Sequence, residues 1–143
     1  MALVNVISAI KAILDADPIV TYPVLEGEQA SFAGTSVIVV APEATTEKSR
    51  GVGNVTGSFD ESHGVALRVM TQWVDSVAAF QSWLAQVEAV KDVIRGNRNL
   101  TSSGTATCRV CVIQRTTYGF TTPKGVDIIY RLAEVTLRVD MAV

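Results

Sequence analysis

The segment from Val126 to Asp140 constrains the fold more than any other part of this sequence. Apolar residues recur at every second position, as they do on a half-buried strand. Such a strand would be about 50 Å long if fully extended. Its apolar phase changes part-way. Val126, Ile128, Tyr130 and Leu132 share one face, and Ala133, Val135, Leu137 and Val139 then take the other. A one-residue phase change predicts a bulge or bend near Leu132. A strand extending past its own hairpin also leaves an edge with which a neighbour can pair.

The remaining elements follow from period and punctuation. Leu3, Val6, Ile7, Ile10, Ile13 and Leu14 form one stripe of an amphipathic helix, and Pro18 lies just past its end. Pro23, Gly27 and Gly34 break any regular pattern between Ile19 and Thr35. Ser36 to Ala41 is a β-branched run and predicts a strand. Pro42 to His63 is polar and rich in Gly, Ser and Thr, which predicts a long flexible loop. Gly64 to Trp73 alternates, with Val65, Leu67 and Val69 on one face and Arg68 and Gln72 on the other. Asp75 or Ser76 can cap a second helix. Its stripe is Val77, Phe80, Leu84, Val87 and Val90, and Gly96 offers a left-handed stop. Thr105 to Arg115 predicts a third strand, and Thr116 to Gly125 the tip of a hairpin.

The element order is therefore α-β-β-α-β-β. Two hairpins, each preceded by a helix, predict an α+β fold with a single antiparallel sheet of about four strands and both helices on one face. The chain has 143 residues, close to the commonest size for one domain, so residues 1–143 are expected to form one. Apolar residues make up 48% and charged residues 18%, well away from a disordered composition. The net charge of −2 leaves no electrostatic footprint for nucleic acid. No apolar run approaches the roughly 20 residues that span a bilayer, so no membrane partner is expected. Lys11 and Asp15 interrupt the N-terminal apolar stretch, which lacks the basic start of a signal peptide.

Three motifs could carry chemistry. Cys108 and Cys111 form a C-x-x-C, but redox pairs sit at helix N-termini, where the thiolate is stabilised. On a strand, residues three apart point to opposite faces. A structural zinc needs about four ligands, and there is no third cysteine. His63 is the sole histidine. It follows Asp60, Glu61 and Ser62, but residues contiguous in a polar loop do not converge from a rigid frame, and a solvated loop histidine is the expected state. Gly51, Gly53 and Gly57 lack the spacing, the lysine and the hydroxyl of a phosphate loop. No catalytic residue, metal ligand or cofactor is therefore assigned.

The second hairpin carries Arg109, Arg115, Lys124, Arg131 and Arg138, interleaved with Asp127, Glu134 and Asp140. Alternating charges on a solvated sheet face account for this pattern. The functional alternative is a surface that meets a neighbouring subunit or contacts DNA transiently. Tyr118 and Phe120 at the hairpin tip are of the residue type that anchors interfaces. The candidate interface residues are therefore Arg50 and Phe59 in the long loop, Arg115, Lys124 and Arg138, and the aromatic pair Tyr118 and Phe120.

Taken together, the opening helix L-V-N-V-I-S-A-I-K-A-I-L, the long loop ahead of a strand, the central helix D-S-V-A-A-F-Q-S-W-L-A-Q-V-E-A-V-K-D-V-I and the final strand R-L-A-E-V-T-L-R-V-D have a known counterpart. The chain resembles the tail terminator (tail completion) proteins of long-tailed bacteriophages over nearly its whole length. That resemblance implies a homo-oligomer, a hexameric ring seated on the last ring of the tail tube. The ring would stop tube growth, receive the head-connector (neck) protein and let DNA pass through. It also implies a location in the virion, at the tail or the head–tail junction, reached from the host cytoplasm during assembly. The family supplies no catalytic residues. The alternatives are another neck or tail structural protein, such as a head-closure or tube subunit, then a small ligand-binding module or an enzyme built on His63.

Overall fold

The computed structural model describes residues 2–27, 35–49, 59–101, 106–122 and 128–142. Helix α1 spans Ala2–Ala16. Val6, Ile10 and Leu14, one turn apart, are fully buried, while Lys11 and Asp15 form an i,i+4 ion pair at 2.6 Å on the outer face. Helix α2 spans Val77–Gly96, and of the two candidate caps Ser76 is the one used. Its hydroxyl accepts from the Ala79 amide at 3.3 Å. The helix does not end on a left-handed Gly96. Gly96 is its last residue, and Asn97, with φ −132°, follows. The Asn97 side chain donates to the Val93 carbonyl at 2.9 Å, doing the capping that a left-handed glycine would otherwise do.

The sheet has five strands: β1 (Val24–Glu26), β2 (Ser36–Ser49), β3 (Phe59–Gln72), β4 (Val110–Thr121) and β5 (Tyr130–Ala142). Their spatial order is β1-β2-β3-β5-β4. The α+β class stands, but the sheet is mixed, because β1 pairs parallel to β2, Val24 opposite Ile38. Three residues between Pro23 and a left-handed Gly27 (φ 74°) show no periodicity of their own. They become a strand because β2 offers them a partner.

Most of the segment expected as a long loop, 42–63, is strand. β2 continues to Ser49 and β3 begins at Phe59, and the two pair from Ser36↔Thr71 to Ser49↔Phe59. Pro42 and Arg50 mark two different situations. Pro42 borders a register shift, where a residue without an amide donor is tolerated. Arg50 lies outside the described residues. Polar strand arms hold through backbone hydrogen bonds and need no apolar alternation, which is why the sequence pattern missed them.

The phase change in the last strand is not a bulge. β5 pairs with β3 without a break from Tyr130↔Gln72 to Ala142↔Asp60. Two faces are buried instead of one. Ala133, Val135, Leu137 and Val139 join Ile38, Val40, Val65, Leu67 and Val69 beneath both helices. Tyr130 lies on the other face with Val37, Val39 and Met70, with Leu25 and Leu132 against them. Each stretch of β5 is apolar where its own face is covered. The register shift in this hairpin falls on β4, between Ile113 and Arg115. Nor does β5 offer a free edge, since it lies between β3 and β4. Among the described residues the edge strands are β1 and β4, and beyond Val40, where β1 ends, β2 also has no outer strand partner.

Candidate subunit interface

The bulge on β4 decides where its aromatic residues point. Ile113 lies opposite Leu137 and Arg115 opposite Thr136, so Gln114 is the extra residue. Before it, Cys111 and Ile113 face the helices. After it the alternation is reversed, and Thr116, Tyr118 and Phe120 face them, opposite Val135, Ala133 and Arg131. Tyr118 and Phe120 therefore sit on the end of a strand, not on a hairpin tip, and lean toward the first turns of α2.

There they meet a cluster contributed by three elements. Trp83 of α2 is only 3% exposed, and its indole Nε1 donates to the Val69 carbonyl at 3.1 Å. The Tyr118 ring meets Trp83 edge-on, with centroids 6.0 Å apart and planes at 77°. Phe80 lies 6.0 Å from Trp83. The Arg131 guanidinium carbon lies 5.1 Å from the Phe80 centroid and 5.5 Å from that of Phe120. Both distances are within cation–π range. Arg131 thus bridges two aromatic rings, one on α2 and one on β4. Its Nε is shielded from solvent and has no hydrogen-bond partner among the described residues. An open groove of about 370 Å³ runs between these side chains, with Leu84 and Gly119 completing its walls.

The cluster belongs to a larger apolar end of the sheet. Trp73, Val74, Val77, Phe80, Tyr118, Phe120, Ile128 and Ile129 are all exposed, and they lie where β3 leaves for α2 and β5 begins. The Trp73 amide donates to the Ile129 carbonyl at 2.9 Å, which holds two of these segments side by side. Scattered apolar residues need no explanation, whereas exposed apolar residues gathered at one end of a sheet make that end a candidate contact surface.

The other candidates fall elsewhere. Arg115 is exposed on the sheet face away from the helices, opposite Thr136. Arg138 is on the same face, 3.3 Å from Asp140 in an ion pair. Phe59 begins β3 opposite Ser49, at the far end of the sheet. Lys124, like Arg50, lies outside the described residues. The structure therefore brings Tyr118 and Phe120 together and leaves Arg115, Arg138 and Phe59 apart from them. From the sequence Arg131 was one of the alternating charges of the second hairpin and Phe80 part of the apolar stripe of α2, neither of them a candidate interface residue, and Trp83 was not singled out. The i, i+3, i+4 spacing of Phe80, Trp83 and Leu84 was the available signal for one aromatic face on α2.

Gly51, Gly53 and Gly57 lie outside the described residues, and the other two motifs lie in or against the core. His63 is not a solvated loop residue. It lies in β3 between Thr45 and Val139 and is 2% exposed. The two cysteines do not point to opposite faces. Cys111 is in the main core and Cys108 packs against it, because Cys108 precedes β4 and is not bound by strand alternation. The Cys108 thiol donates to the Arg98 carbonyl at 3.7 Å. Burial, helped by Asp140, pushes Cys108 up to about 11. Burial, helped by the neighbouring Cys108 and by Asp140 against the opposing pull of Arg98, pushes Cys111 up to about 12. Both are protonated, poor nucleophiles at neutral pH. Among the described residues no three His, Cys, Asp or Glu side chains gather as metal ligands. No helix among them is long and apolar enough to cross a membrane.

Comparison with known proteins adds the fold. No protein-family model matches the sequence, and no curated protein matches it in sequence. The structure is similar to a chain of the virion of a native gene transfer agent particle. The two superpose with a TM-score of 0.68 at 17% identity, covering 95% of this chain and 93% of that one.

Proposed function

We propose that this chain is a structural subunit of a phage-like virion, and within it a tail terminator. In this reading it forms a ring of six copies that caps the tail tube, halts its growth and presents a surface to the head-connector protein, with DNA passing through the ring. The observation that carries the reading is the fold likeness to a virion chain, which spans nearly the full length of both proteins.

The molecule's own features support an assembly role. Two strand edges, on β4 and on the outer half of β2, lie on opposite sides of one sheet. A contact between unlike edges is head-to-tail, and head-to-tail contacts close into rings when the rotation between copies divides a full turn. The exposed apolar end of the sheet is a third surface, which can meet the protein above or below the ring.

Native mass spectrometry of the purified chain, with negative-stain imaging of tail tubes mixed with it, tests the proposal. The expected result is a discrete hexamer and a cap on one end of each tube. A monomer at high concentration and bare tube ends would sink it.

A further inference from the structure

We infer that β1 of a second copy of this chain pairs antiparallel with the outer edge of β4, Val24 opposite Tyr118 and Glu26 opposite Thr116, so that one sheet continues from copy to copy. The inference rests on the ring reading and names the contact that would build the ring. β1 and β4 are the two edge strands of the sheet. β1 runs parallel to β2, and each later step across the sheet is antiparallel, so β1 and β4 run in opposite directions. A copy carried round a ring axis without being flipped therefore sets its β1 against β4 of the next as an antiparallel pair.

The two edges match in height. Through the intervening pairs, Val24 lies level with Ile38, Val69, Ala133 and Tyr118, and Glu26 with Val40, Leu67, Val135 and Thr116. Copies related by rotation keep equal heights on the axis. In a ring whose strands run along that axis, these residues therefore meet with no stagger. The side-chain faces agree as well, since Val24 packs in the core beneath the helices and Tyr118 meets Trp83 of α2.

The backbone phase matches too. The Trp73 amide donates to the Ile129 carbonyl. Alternate residues of β5 from Ile129 to Val135 thus direct their backbone groups to β3, and those from Tyr130 to Thr136 direct theirs to β4. The β4 partners of the second set, from Thr121 back to Arg115, face inward. Thr116, Tyr118 and Phe120 turn outward, with no strand beside them among the described residues. On the other edge, the Ile38 amide donates to the Pro23 carbonyl and the Gly27 amide to the Val40 carbonyl. Leu25 therefore faces β2, and Val24 and Glu26 turn outward. Residues that face out on one edge are level with residues that face out on the other. A slip of one residue would set outward groups against inward ones. The same docking brings α1 of the neighbour, which packs on β1 and β2, up to the groove walled by Phe80, Tyr118 and Phe120.

Disulfide crosslinking of the full chain carrying L25C/T117C tests this. Between copies these two positions form the non-hydrogen-bonded pair, with Cα atoms about 4.5 Å apart and within disulfide reach. Inside one copy they are four strand spacings apart, about 19 Å, so no internal bridge can form. After mild oxidation, denaturing electrophoresis without reductant is expected to show linked copies up to six. Their yield should exceed at least tenfold that of L25C/T121C, whose second cysteine is four residues out of register. Native mass spectrometry of the wild-type chain reports the ring itself. A ring that forms while L25C/T117C links no better than L25C/T121C overturns the contact alone. A wild-type chain that stays monomeric overturns the ring reading and this contact together. If L25C/T117C fails to fold by far-UV circular dichroism, T116P takes its place. An outward amide on an edge strand is where proline is tolerated, so the fold is kept while the contact loses a donor. The ring population is then expected to fall at least tenfold, and rings as abundant as wild type overturn the contact.

Discussion

The indole of Trp83 ties α2 to β3 through a hydrogen bond from Nε1 to the Val69 carbonyl, 3.1 Å long and buried. The same ring supports Phe80 on one side and Tyr118 on another. One side chain thus links the helix, a central strand and the edge strand, and it couples the core to the exposed aromatic groove.

Replacing Trp83 with Phe removes that donor, while the Val69 carbonyl keeps its ladder position opposite Ala133 of β5. A net hydrogen bond contributes about 1 kcal/mol. The expected loss is about 1 kcal/mol, with added loss from the smaller ring. Equilibrium urea unfolding reads it as a lower midpoint with an unchanged slope. A midpoint equal to wild type would show that the bond contributes nothing.

Gln86 is a second tie. Its Oε1 accepts from the amides of Thr21 and Tyr22 at 3.0 and 3.4 Å, and its Nε2 donates to the Ile19 carbonyl at 2.8 Å. Three backbone groups of the segment between α1 and β1 are thereby satisfied by one side chain of α2. Gln86→Leu keeps most of the volume and loses all three bonds, for an expected cost of about 2–3 kcal/mol. Hydrogen exchange localises the effect. The Thr21 and Tyr22 amides are expected to exchange at least tenfold faster, while those in β3 and β5 change only by the global loss.

Much of this fold was legible from residue order, and the failures share one cause. The stripes of Val6, Ile10 and Leu14 and of Leu84, Val87 and Val90 announced two helices because each packs on a single face. Val65, Leu67 and Val69 announced β3 for the same reason. β1 was invisible because its three residues are a strand only beside Ile38 to Val40. The arms from Ala44 to Ser49 and from Phe59 to His63 were hidden because their polar residues are held by ladder hydrogen bonds, which have no side-chain period. The apparent kink at Leu132 came from reading two buried faces as one. In the candidate interface, Tyr118 and Phe120 stood out by residue type. Their partner Arg131 did not, because only the register Phe120↔Arg131 places it between two rings.

The thiols make a prediction about pH. Cys108 and Cys111 stand at about 11 and about 12, against an ordinary value near 9. In the unfolded chain they ionise first, so above pH 9 the unfolded state binds fewer protons and stability falls as pH rises. Their contribution is complete below about pH 9 and is lost progressively through pH 9–12. Alkylation by iodoacetamide under native conditions at pH 8 is expected to be at least tenfold slower than in denaturant. Its rate at Cys108 should climb with pH up to about 11. Rapid native labelling of Cys108 at pH 8 would contradict the burial that raises it.

Deleting Gln114 tests how the groove is made. The bulge at this position is the reason that Tyr118 and Phe120 face α2 while Cys111 and Ile113 still face the core. Deletion makes Arg115 follow Ile113 directly, so the shortened strand can pair with β5 in the register it already has, Arg115 opposite Thr136, Tyr118 opposite Ala133 and Phe120 opposite Arg131. The bulge disappears and both aromatic rings keep facing α2. Near-UV circular dichroism is the direct readout, because the Trp83 signal depends on its asymmetric aromatic surroundings. The deletion variant is expected to keep that signal, with far-UV intensity retained. A substantial loss of the Trp83 signal on deletion would show that the aromatic pair is not aimed by its register with β5, and the groove would have to be explained by something other than that pairing.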